Sequence, residues 1–134
     1  MKTYGIAYIA TGLVFLAIDS IWLSTMASRL YRPLLGDLLA DGFNLAPAIA
    51  FYLIYIAGIL YFAINPALGT GRWQTAALNG AVLGFVAYAT YDLTNQATLR
   101  SWPTVITLAD LAWGTVLTAL SATGGYLITR KLIG

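Results

Sequence analysis

The chain has no cysteine, no histidine and no glutamate, and its 134 residues hold only five aspartates and seven lysines and arginines. The missing thiols and imidazoles exclude disulfides, thiolate or imidazole metal sites, and catalytic triads built on histidine. Basic residues are scattered singly and the net charge is only +2, so no nucleic-acid surface is expected. So few charges cannot clothe a soluble domain either. With 60% hydrophobic residues and a mean hydropathy of +0.78, the sequence reads as an integral membrane protein whose first partner is the lipid bilayer.

Four apolar stretches run over about residues 3–26, 46–64, 74–98 and 103–128. At ~1.5 Å per residue each reaches across most or all of a ~30 Å hydrocarbon core. The first is too long for a signal peptide and no small-residue cleavage site follows Met26, so it reads as a retained helix. Pro47 fits the first turn of the second stretch, Asn65-Pro66 is expected to stop it, and Pro103 opens the fourth. Residues 27–45 carry Arg29, Arg32, Asp37 and Asp41, with Leu34, Leu35, Leu38 and Leu39 on the opposite side of a short helix. Such a piece lies among headgroups or covers a cavity mouth. The expected fold is an all-α membrane protein, one integral membrane domain over residues 1–134. Its core is a four transmembrane helix bundle, with a short interfacial helix between helices 1 and 2.

Four spans put both termini on one side, together with Lys2, Arg72, Arg130 and Lys131; Arg29, Arg32 and Arg100 fall on the other. The positive-inside rule then places the termini in the cytoplasm. Asp19 lies seven residues before Met26, Asp92 six before Thr98 and Asp110 seven after Pro103. Each acid is therefore ~9–11 Å inside the same end of the bundle. A carboxylate at that depth is costly, at least ~2.5 kcal/mol on insertion scales, so it needs partners or a purpose. The expected result is a polar pocket lined by Asp19, Asp92, Asp110, Asn95, Thr94, Tyr91 and Tyr88, with Tyr52 and Tyr55 of the second helix at a similar level. Trp22 and Trp113 follow Asp19 and Asp110 by three residues, which puts an indole donor one turn from each acid. These residues are the candidate ligand, proton or cation site. The competing reading is structural: each acid is held by Tyr, Trp, Thr or Asn donors, pairs with Arg29, Arg32 or Arg100, or keeps a proton because carboxylates crowd together.

Gly80 and Gly84 of the third helix, and Thr107, Asp110, Gly114, Thr118, Ser121 and Gly125 of the fourth, form stripes of small and polar residues suited to close helix contact.

Four segments resemble a known family: Asp19-Ser20-Ile21-Trp22-Leu23, Phe51-Tyr52-Leu53-Ile54-Tyr55, Tyr88-Ala89-Thr90-Tyr91-Asp92-Leu93-Thr94-Asn95 and Asp110-Leu111-Ala112-Trp113-Gly114-Thr115. They are similar to the signatures of a bacterial family of small four-helix membrane proteins, domain of unknown function 2177. The resemblance implies a four-span, multi-pass protein of the bacterial inner membrane and brings no activity with it.

Three functions fit these residues. A transporter or small-ligand-binding protein would use the carboxylate-aromatic pocket, and its short chain calls for a homo-oligomer formed through the glycine seams. A membrane enzyme would use an Asp pair as acid and base on a lipid-soluble substrate. An accessory subunit would keep the polar cluster for structure alone. No cofactor and no metal is expected, because a carboxylate-only magnesium site lacks a clustered acidic motif here.

Overall fold

A computed structural model describes residues 1–39 and 44–134. Asp41, expected on the polar side of the interfacial helix, lies outside the described residues. Four helices follow one another: α1 (Lys2–Leu38), α2 (Leu45–Thr70), α3 (Trp73–Thr98) and α4 (Thr104–Ile133). They alternate in direction. Tyr4 of α1 donates to Asn65 near the end of α2, and Gly71, at the α2–α3 turn, lies beside Arg130 near the end of α4. The described residues contain no strand, and the protein is an all-α membrane bundle.

Two helices are longer than the sequence pattern implies, and proline explains both. α1 does not stop at Met26; it passes through a π-turn at Ala27–Tyr31 into Arg32–Leu35 and a 3₁₀ turn at Gly36–Leu38. The short helix expected after the first span is thus the tail of α1. α2 likewise continues past Asn65-Pro66 to Thr70, through a π-turn at Leu60–Ile64. Proline has no N–H and its ring clashes with the carbonyl four residues back. A wide turn just ahead of Pro33 and of Pro66 opens that carbonyl instead of breaking the helix. At Pro66 the freed acceptor is Phe62 O, and Asn79 Nδ2 of α3 donates to it at 2.9 Å.

Among the described residues, three helices are long and apolar enough to cross a membrane. α3 matches α2 at 26 residues but is diluted by Gln74, Asn79, Asp92, Asn95 and Gln96. It lies against α4 through the small-residue stripe. A Cβ on Gly80 would sit 2.8 Å from the Thr118 carbonyl. One on Gly84 would meet the Gly114 carbonyl, and one on Gly114 the Tyr88 ring. On the far side of α4, Gly125 receives Thr11 and Gly124 faces Val14 of α1. The seams expected to join two copies are therefore filled within one chain.

The core centres on Phe15, Ile59, Ile64, Leu117 and Tyr126. Large apolar side chains such as Ile9, Leu13, Ile54, Leu78, Val82 and Leu108 point outward, while Ala, Gly, Thr and Ser crowd the interior of α4. Lipid tails are as apolar as leucine, so close backbone packing, not burial of large side chains, drives association in such a bundle.

Candidate functional site

Helical spacing puts Asp19 and Trp22 of α1, and Asp110 and Trp113 of α4, on facing surfaces one turn apart. Asp19 and Asp110 are 7% and 6% exposed, and Asp92 is completely buried. The two indoles stack, with ring centroids 4.4 Å apart and planes 8° from parallel. Their N–H groups cross over. Trp113, on the helix of Asp110, donates to Asp19 Oδ1 at 3.3 Å. Trp22, on the helix of Asp19, donates at 3.0 Å to the hydroxyl of Tyr31, which donates to Asp110 Oδ1. Tyr52 of α2 completes the set with a 3.0 Å bond to Asp19 Oδ2. The expected indole donor thus reaches Asp19 alone, and from the other helix; Asp110 receives the Tyr31 hydroxyl instead, with the Trp22 indole one bond behind it.

Among the described residues, the tyrosine and tryptophan side chains that donate to Asp19 and Asp110 are all neutral, and neither acid has an arginine or lysine partner. Among the described residues, the arginine pairing held open by the sequence is not what holds them. These donors satisfy oxygens but supply no positive charge.

Asp19, Asp110 and the stacked indoles border a cavity of about 510 Å³. Tyr31, Tyr52, Tyr88, Tyr91 and Trp102 add aromatic surface, Leu23, Ala27 and Leu35 add aliphatic surface, and Arg32 and Asn44 also border it. The size is in the range of small-molecule sites, as is the mix of apolar wall and few polar groups. Phe15 backs the wall, with its ring edge-on to Tyr52 at 5.7 Å. Trp102 is steered by an indole bond to Thr107, which donates to Gln96 Oε1, and its ring meets Tyr91 edge-on at 5.8 Å.

Of the residues expected at the site, Asp19, Asp110, Trp22, Trp113, Tyr52, Tyr88 and Tyr91 share this cavity. Asp92 does not reach it; it is sealed in the helix interface, and neither of its oxygens has a hydrogen-bond partner. Tyr55 is buried one turn deeper and bonds Thr118 Oγ1 at 2.8 Å. Asn95 is half-buried and stands outside the cavity lining. Thr94 is exposed, with its hydroxyl turned back to the Thr90 and Tyr91 carbonyls. Among the described residues no three acids gather closely enough to hold a metal ion.

Tyr31 is the contributor that helical spacing misses. It follows Asp19 by twelve residues, and ~100° per residue would aim it ~120° away. The π-turn at Ala27–Tyr31 absorbs an extra residue and brings it back to within ~20°. Pro33 was the available signal, because a proline inside a continuing helix calls for such a turn.

Residues 4–127 match the family model described as a predicted membrane protein, domain of unknown function 2177. The chain belongs to this family. The match takes in every residue of the cavity wall, from Asp19 to Trp113. No curated protein and no solved structure matches the chain.

Proposed function

We propose that this membrane protein binds a small organic cation in the aromatic cavity, as the recognition step of a transporter. The observation that carries the reading is the pairing of Asp19 and Asp110 with neutral donors only, on the wall of one cavity. Two carboxylates at membrane depth that bond no lysine or arginine among the described residues favour a positively charged guest. The surrounding rings suit an alkylammonium better than a bare metal ion, since aromatic faces attract such cations while tolerating their apolar substituents. Arg32, an exposed residue on the cavity border, limits how much positive charge collects there.

Titration of the detergent-solubilised protein with tetramethylammonium and longer alkyltrimethylammonium ions, followed by calorimetry, tests the reading. Saturable binding that is lost in both Asp19→Asn and Asp110→Asn supports it, and flux of the same ions into proteoliposomes then establishes transport. Binding that survives both substitutions would sink it.

A further inference from the structure

Asp92 is the group that the cavity does not use. It is fully buried, and both carboxyl oxygens lack a donor. The groups that act on it are Asp110 and Trp102, with Tyr31 and Tyr91 as the other titratable neighbours within electrostatic reach. The Trp102 indole gives its hydrogen to Thr107. Tyr31 gives its own to Asp110 Oδ1, and Tyr91 is an exposed residue of the same helix. None of these neutralises a carboxylate at Asp92.

An ionised carboxylate sealed from water with no donor and no cation is far costlier than the neutral acid, so such a group keeps its proton. A neutral carboxylic acid is itself a donor. Asp110 supplies the acceptor, because Tyr31 takes only its Oδ1 and leaves Oδ2. We propose that Asp92 is a permanently protonated positioning residue that donates its carboxyl hydrogen to Asp110 Oδ2 and so fixes the carboxylate presented to the cavity. Tyr31 holds that carboxylate from one side and Asp92 from the other. The binding part of this inference rests on the cation reading above; the proton on Asp92 does not.

Infrared spectroscopy of the wild-type protein at neutral pH, compared with Asp92→Asn and Asp92→Val, tests it. A protonated-carboxyl stretch is expected in the wild type and is expected to vanish in Asp92→Asn. The amide of Asn is a neutral donor of the same shape, so tetramethylammonium affinity should stay within about threefold in Asp92→Asn. In Asp92→Val, which removes the donor, it should fall about tenfold or more. Absence of the carboxyl stretch from the wild type overturns the proposal, a result that needs no variant to fold. So does an Asp92→Asn protein that binds as weakly as Asp92→Val, because the charge and not the hydrogen would then matter. A wild type that shows the stretch but binds no alkylammonium overturns the cation reading and leaves the proton on Asp92 standing.

Discussion

Trp22 and Trp113 lie face to face at 4.4 Å; Trp113 gives its N–H to Asp19 of the opposite helix, and Trp22 gives its own to Tyr31, the donor to Asp110. The stack ties α1 to α4 at the level of the carboxylates, so the two acid systems share one aromatic wall. Two parallel indoles this close couple their electronic transitions. A split near-ultraviolet circular dichroism signal is therefore expected, and Trp22→Phe and Trp113→Phe should each abolish it. A signal that survives either change would mean that the rings do not stack.

Tyr31 links the same wall to Asp110. Tyr31→Phe strands the Trp22 N–H and one Asp110 oxygen together. Each abandoned group is part-buried and costs up to ~1–3 kcal/mol, so the thermal midpoint in detergent should fall. Tyr4→Phe, whose hydroxyl bond to Asn65 is exposed, is the control expected to stay near wild type.

The α3–α4 seam tolerates no added carbon. Gly84→Ala drives a methyl into the Gly114 carbonyl and Thr118, an overpacking expected to cost ~1–3 kcal/mol. Gly58 has no heavy atom within 4 Å of a built Cβ, so Gly58→Ala should gain about 0.5–1 kcal/mol from helix propensity alone. Opposite shifts in unfolding midpoint for two identical chemical changes would locate the seam; equal shifts would deny it.

The two π-turns, Tyr31 and the extension of α2 are what hydropathy could not convey. Helix number, alternation and the meeting of Asp19 and Asp110 at one cavity were legible because they follow from span length and topology. The fate of each acid was not, since packing decides whether a residue of the stripe meets the cavity or the neighbouring backbone. Thr94 shows a simpler limit. It stands two residues from Asp92 in the most distinctive run of the chain, yet two residues are ~200° around a helix, so proximity in sequence placed it on the outside. The glycine stripes were legible as close contacts, but their partner was the same chain and not a second copy.

Asn79 compensates for Pro66. Its amide donates to the Phe62 carbonyl that the π-turn exposes, and no water is present in lipid to replace it. Asn79→Leu should destabilise the protein by ~1–3 kcal/mol. Combining it with Pro66→Ala, which lets the helix reclaim its own acceptor, should recover part of the loss. Strict additivity in that double-mutant cycle would show that the two residues are not coupled.

Arg32 borders the cavity from an exposed position. Removing a like charge from the rim should strengthen alkylammonium binding about two- to fivefold in Arg32→Gln, with the gain shrinking in high salt. Weaker binding after that substitution would instead indicate a ligand that brings an acidic group to the rim.

The wide turn at Ala27–Tyr31 makes the distance along the chain from Trp22 to Tyr31, nine residues, a ruler for the site. Side chains between them can change without moving the hydroxyl, but losing or gaining a single residue turns everything beyond it by ~100°. Tyr31, Arg32 and Leu35 would then swing off the cavity together. Over this stretch the protein constrains its length more tightly than its composition.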